Sequence, residues 1–122
     1  MSVFQHVLES RGFPVLRAGS SPEALEQFRR QPDKIDLLIA DLALPGGSGV
    51  DVALECLDRS ARLRALLTSG SPPSVWNKRD RDNFDLLPRR RIGFLQKPFS
   101  PGALLASVVD LLDTRAELGA SA

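Results

Sequence analysis

The sequence predicts an α/β domain built on a parallel sheet with helices on both faces. Three observations lead there. Helical-period and strand-like apolar segments alternate along the chain. The inner strand candidates are apolar throughout, as strands buried on both faces must be. Polar residues follow the ends of those strands, on the edge where right-handed crossovers collect strand C-termini and where such sheets bind ligands.

The elements follow in order. Val3, Phe4, Val7 and Leu8 fall at helical spacing and stop at Gly12, a helix-ending signal. Pro14-Val15-Leu16 reads as a short strand. Ser21-Pro22-Glu23 starts a helix, with serine as N-cap, proline at the first helical position and an acid in the first turn. Ala24, Leu25 and Phe28 give that helix its apolar face. Ile35–Ala40 is nearly continuous in apolar residues and ends at Asp41, which fits a buried strand. Pro45-Gly46-Gly47-Ser48-Gly49 reads as a loop. Val50, Ala53, Leu54 and Leu57 make a third helix. Ala65–Thr68 is a second buried strand, ending at Ser69-Gly70. Ile92–Gln96 is the last strand. Ser100-Pro101 caps a final helix whose stripe is Leu104, Leu105, Val108, Val109, Leu111 and Leu112. Residues 114–122 read as a tail.

The stretch 70–92 stands apart. It is polar, contains proline and is weakly periodic, so the expectation is a long linker with at most a short helix. Its part from 78 to 91 is rich in basic residues, which reads first as solvated surface and second as a contact for an acidic partner.

Composition removes several function classes. The chain has 122 residues, one domain's length. Apolar residues make up 43% and charged residues 25%, ordinary for a globular domain. Sixteen Lys and Arg against 15 Asp and Glu give a net charge of +1, so no overall field favours nucleic acid or an anionic membrane. One cysteine, Cys56, cannot form an internal disulfide and reads as packing, which points to a reducing, cytoplasmic compartment. No apolar run spans a membrane, and the N-terminus does not read as a signal peptide. His6 is the single histidine, which excludes a zinc site and a Ser-His-Asp triad within the chain. Gly46-Gly47-Ser48-Gly49 lacks the Lys-Ser/Thr ending of a nucleotide-binding loop. Trp76 reads as an isolated apolar residue in a polar loop, covering a hydrophobic edge or marking a contact.

The chemistry-bearing residues are those at strand ends. Asp41 taken alone reads as a turn residue. Lys97, between the last strand and Pro98-Phe99, points a compact positive charge at the same edge. Ser69 or Thr68 adds a hydroxyl. A carboxylate nucleophile, a lysine against incoming negative charge and a hydroxyl for an equatorial oxygen outline phosphoryl transfer to an aspartate. A hydrolase using Asp41 on a phosphoester is a weaker reading, since no second acid is placed for acid–base work.

Three segments carry a family resemblance. Asp41-Leu42-Ala43-Leu44-Pro45-Gly46-Gly47-Ser48-Gly49 resembles the phosphoacceptor segment of response-regulator receiver domains. Leu66-Leu67-Thr68-Ser69-Gly70 resembles their fourth strand with its hydroxyl residue, and Phe94-Leu95-Gln96-Lys97-Pro98-Phe99-Ser100-Pro101 their fifth strand with its lysine. The wording is closest to receivers attached to sensor histidine kinases, and the resemblance covers residues 3–113. It implies a receiver, flavodoxin-like fold in one domain over residues 1–122. Asp41 would take a phosphoryl group from a phosphohistidine on a sensor histidine kinase or histidine phosphotransfer protein. Lys97 would pair with the phosphoryl oxygens. Ser69 would be the switch hydroxyl, since Gly70 supplies the small residue that follows it, with Thr68 as the alternative. Phe94 would be the aromatic that moves inward on activation. Asp41 and the Ala43 carbonyl would hold Mg²⁺, and the Lys97–Pro98 bond would be cis. Output would pass to a downstream protein partner through the face carrying Phe94 and the last helix, with no role for nucleic acid or membrane.

The sequence departs from that pattern at its start. The family opens with a central strand ending in an acidic pair that holds magnesium, whereas here Met1 leads almost directly into the first helix. Glu9 sits too late to substitute. Three expectations follow. Magnesium affinity is weak. The gap in the sheet is closed by pairing of the flanking strands, by another segment, or by another chain in a homodimer. The start at Met1 is an internal one. The alternative function is a pseudo-receiver, an interaction module that works without phosphorylation.

Overall fold

The computed structural model describes residues 15–17 and 19–121. The helix expected over residues 3–8, with His6, Glu9 and Gly12, lies outside the described residues. Strand β1 is Val15–Arg17, followed by helix α1, Ser21–Arg30. Strand β2 is Leu37–Asp41, and a small hairpin of β3 (Ala43–Leu44) and β4 (Gly47–Ser48) leads into α2, Gly49–Arg59. Then come β5 (Arg64–Ser69), α3 (Lys78–Leu86), β6 (Ile92–Gln96) and α4 (Pro101–Ser121).

The main sheet has the order β1-β2-β5-β6, all parallel. The apolar runs lie at its centre: Leu37, Leu38, Ala40, Ala65, Leu66 and Leu67 are fully buried. Alternation along each strand sends them to two layers. Leu38, Ala40, Ala65 and Leu67 meet Phe28 of α1, Val50, Ala53 and Cys56 of α2, and Trp76 and Leu87 on either side of α3. Leu37 and Leu66 meet Leu104, Val108 and Leu111 of α4. The fold is therefore the expected α/β sheet with helices on both faces, the receiver or flavodoxin-like arrangement.

The gap expected in the sheet is closed by its flanking strands. β1 pairs directly with β2, Val15 opposite Leu37 and Leu16 opposite Leu38. Among the described residues no strand lies between them.

Several local readings shift. The cap of α1 is Ser20, whose Oγ accepts from the Glu23 N–H (3.3 Å); Ser21 is inside the helix and buried. Of Pro45–Gly49, read as a loop, Pro45-Gly46 form the turn of a short hairpin in which Ala43–Leu44 pair with Gly47–Ser48, Gly46 sits at φ +83° where glycine is favoured, and Gly49 opens α2. The 70–92 stretch is more ordered than its polarity implies. Asn77 caps α3 by accepting from the Asp80 N–H (2.8 Å), and short 3₁₀ turns flank the helix at Pro73–Val75 and Arg89–Arg91. Three apolar anchors, Trp76, Phe84 and Leu87, hold it to the core. The tail expected at 114–122 continues α4 to Ser121, through the helix formers Ala116, Glu117 and Leu118. Val109, placed on the buried stripe of α4, is 41% exposed instead.

The basic run separates into different jobs. Lys78 pairs with Asp82 (2.8 Å) within α3. Arg79 and Asn83 both reach Asp51, at 3.3 and 3.0 Å, and tie α3 to the first turn of α2. Arg91 is structural: its Nε donates to the Leu63 carbonyl (3.1 Å) and its Nη2 to the carbonyls of Leu57 (3.2 Å) and Ser60. The Leu57 and Ser60 carbonyls are acceptors left over at the C-terminus of α2, a location that also suits a cation, and Leu63 belongs to the connection before β5. Burial pushes the Arg91 pKa down from the ordinary guanidinium value. Arg81, Arg89 and Arg90 form no ion pair with the described residues.

Candidate functional site at the C-terminal sheet edge

The site is set by strand register. Asp41 ends β2 opposite Thr68 of β5, and Ser69 lies opposite Gln96 of β6. Backbone bonds extend the ladder one step past each end, from Leu42 N–H to Thr68 C=O and from Lys97 N–H to Ser69 C=O, both 2.8 Å. Three positions far apart in sequence thus reach one edge. The Lys97–Pro98 bond is cis, as the resemblance implied.

Asp41 is held from two sides. Thr68 Oγ1 donates to Asp41 Oδ1 at 2.9 Å, and Lys97 Nζ donates to Asp41 Oδ2 at 2.6 Å. The carboxylate is about one-third exposed and the lysine somewhat more, so the pair is open to solvent and to an incoming group. An exposed pair like this adds little stability, about 0–1 kcal/mol. Its importance is in placement: a cation and a hydroxyl converge on one carboxylate.

The two hydroxyl candidates separate in the structure. Thr68 is the register partner of Asp41, so both side chains leave the sheet on the same face. Ser69, one residue on, leaves on the other face, and its Oγ accepts from the Ser71 N–H (3.1 Å). Thr68, the alternative in the sequence reading, is thus the hydroxyl on Asp41.

The hairpin after Asp41 fixes the carboxylate from below. Gly49 N–H donates to the Leu42 carbonyl (2.9 Å), which brings the start of α2 against β2. A Cβ on Gly49 would lie 2.1 Å from the Asp41 carbonyl oxygen, so only glycine fits there. The Pro45 carbonyl accepts from the Ser21 N–H (3.0 Å), pinning the hairpin to the first turn of α1. Ser48 caps α2 by accepting from the Val50 N–H (3.1 Å).

Phe94 sits on β6 opposite Leu67 and packs inward. It is 5.5 Å from the Trp76 ring and 6.5 Å from Phe84, edge to face, and Trp76 and Phe84 are 5.2 Å apart in the same geometry. Trp76 is only 6% exposed and its Nε1–H donates to the Ser71 carbonyl (3.0 Å). The sequence reading treated Trp76 as a loop residue and missed this cluster. Phe84, eight residues on, was the available signal, since two aromatics in so polar a stretch have to bury together.

Two other singled-out residues, Cys56 and Ala43, lie away from and beside the site respectively. Cys56 is buried in the α2 layer, and burial, with the neighbouring Glu55 charge, pushes its thiol up to about 12. Ala43 lies on β3 beside the site. Among the described residues, no group of three or more His, Cys, Asp or Glu side chains could hold a metal ion. The described donors therefore do not by themselves make up a magnesium site: Asp41 and the Ala43 carbonyl stand without a second carboxylate. No helix among the described residues is long and apolar enough to cross a membrane.

Comparison with known proteins agrees with the geometry. No protein-family profile matches the chain. The sensor kinase CckA of Brucella abortus is 27% identical over 106 residues, 87% of this chain and 11% of that protein. The alkaline phosphatase synthesis transcriptional regulatory protein PhoP of Bacillus subtilis is 26% identical over 123 residues, 98% of this chain and 46% of that protein. The chain therefore spans less than half the length of either relative. Among solved structures, a response regulator receiver protein from Sinorhizobium medicae superposes with a TM-score of 0.71 at 25% identity, covering 92% of this chain and 84% of that one. Fold, strand-edge geometry and sequence similarity together show a receiver, CheY-like fold and relate the chain to receiver domains of two-component systems, the CckA receiver among them.

Proposed function

We propose that this receiver accepts a phosphoryl group on Asp41 from a phosphohistidine of a histidine kinase or phosphotransfer protein, and that the change at the sheet edge alters a protein-binding surface. The observation that carries the reading is the convergence of Lys97 Nζ and Thr68 Oγ1 on the two carboxylate oxygens of Asp41. An Asp41 oxygen attacks phosphorus, the P–N bond breaks, and its electron pair leaves on the imidazole nitrogen. The product is an acyl phosphate and a histidine. Lys97 moves from the carboxylate to the phosphoryl oxygens and offsets the added charge, and Thr68 donates to one of them. Phe94 lies opposite Leu67 and so shares the sheet face of Ser69, one step past Thr68, which is where a change at the phosphorylated edge would reach it. The domain signals and does not turn over an external substrate.

Magnesium is typical of receiver domains. The described residues do not fit it on their own, and no step here is routed through it. That same observation favours one second reading, a pseudo-receiver that binds partners without phosphorylation.

Intact mass after incubation with acetyl phosphate and magnesium distinguishes the two. A single phosphoryl adduct, absent in Asp41→Asn, supports phosphoacceptance. No adduct at saturating donor and magnesium sinks it for this chain and leaves the interaction module.

A further inference from the structure

The sheet ends at β6, and that end is open. Lys97 N–H bonds the Ser69 carbonyl, so backbone alternation turns residues 93, 95 and 97 toward β5. The N–H and C=O groups of Ile92, Phe94 and Gln96 then face away from the sheet. No backbone hydrogen bond among the described residues uses them. A hollow lies on each side of the strand. One of about 280 Å³ adjoins Phe84 and Asp85, and one of about 390 Å³ adjoins Ser107 and Asp110; both share Arg89, Ile92, Gly93 and Phe94. The helices on either side carry exposed apolar residues, Leu86 at 68% and Val109 at 41%.

We propose that β6 accepts an extended segment of a partner protein as an added strand, and that this segment is acidic where it passes the start of β6. Charge chooses the occupant. Arg89 and Arg90 stand at that start, exposed and without an ion pair among the described residues, whereas Lys78, Arg79 and Lys97 are paired. A second copy is the poorer occupant. Antiparallel pairing of β6 with itself about Phe94 sets the Arg89–Arg91 end of each chain beside Lys97 of the other, like charge against like. Strand addition draws affinity from main-chain bonds and specificity from flanking side chains, and the open groups, hollows and arginines supply both. The inference concerns the protein without phosphate on Asp41 and stands independently of phosphoacceptance.

The test is an amide-resolved NMR titration with two blocked peptides, one alternating valine with glutamate and one alternating valine with lysine. The glutamate peptide should slow hydrogen exchange at the Ile92, Phe94 and Gln96 amides, and the lysine peptide should not. The exposed double variant R89E/R90E should weaken the glutamate peptide roughly tenfold and admit the lysine peptide. Three results would overturn the proposal: no protection of those amides at millimolar peptide, equal response to both peptides, or protection that instead grows with protein concentration as the chain dimerises through β6.

Discussion

Gly49→Ala is the sharpest single test of how the site is built. Helix propensity alone says the change should help, since alanine is better than glycine in a helix by about 1 kcal/mol. The structure says the reverse. The added methyl lies 2.1 Å from the Asp41 carbonyl oxygen and 2.8 Å from its carbon, where ordinary contact begins at 3.4 Å. Both obstructing atoms are backbone, in a strand bonded on both sides, so no rotamer relieves them. The start of α2 has to retreat by on the order of 1 Å, which costs about 1–3 kcal/mol as overpacking. It also lengthens the Gly49 N–H to Leu42 C=O bond, worth about 1 kcal/mol. Net of propensity, the loss is about 1–3 kcal/mol. With a urea m-value of about 2 kcal/mol/M, the midpoint falls by about 0.5–1.5 M. Gly102→Ala is the matched control. That residue is also in a helix's first turn, but its new methyl meets only Ser100 Oγ at 3.9 Å, so its midpoint should hold or rise. A Gly49→Ala midpoint equal to or above wild type would refute the claim that this close approach forces glycine.

Other predictions concern separate parts of the molecule. If Asp41 is phosphorylated, Thr68→Ala should alter the lifetime of the adduct far more than Ser69→Ala, read by intact mass over time; equal effects would remove Thr68 from its role. Arg91→Ala should cost about 2–3 kcal/mol in urea unfolding, because three carbonyls lose one charged donor, and Arg91→Lys should recover only part, lacking the fork. The Cys56 thiol, raised from 9.0 to about 12, holds its proton in the folded state while the unfolded thiol ionises. Its contribution is whole below pH 9 and is lost as pH climbs toward 12, and thiol reagents at pH 8 should label it only as fast as the chain opens. Trp76, the single tryptophan, packs on Phe94, so its emission should change on phosphorylation; a spectrum unmoved at full labelling would detach Phe94 from the switch.

The sheet was legible because its strands are apolar runs between turn signals, a pattern with few other solutions. Asp41 and Lys97 were legible because charged residues at the ends of such runs stand out. Which hydroxyl contacts Asp41 was not. Thr68 and Ser69 differ by one step, and a single step reverses the face of a strand, so only the register with β2 decides between them. The cap of α1 slipped by one residue for a similar reason, since Ser20 and Ser21 are both competent and tertiary contact with Pro45 settles which turns inward. Trp76, Phe84 and Arg91 were hidden by their surroundings. Each sits in a polar or basic stretch, and its partners come from β6 or from the end of α2. Average polarity describes a segment's exposed majority and says nothing of the few side chains that anchor it.

The hairpin of β3 and β4 has a consequence for anyone recombining such domains. Its Pro45 carbonyl is bonded to Ser21, a Cβ at Gly46 would strike Pro22 at 2.9 Å, and one at Gly47 would strike Ser21 Oγ at the same distance. Residues 43–48 and the opening of α1 are therefore one interchangeable part, separated by some twenty residues of chain. A graft that transplants the loop beside Asp41 alone brings a foreign turn against an unaltered Ser21-Pro22. Both halves have to travel together for a chimaera to keep its acceptor in place.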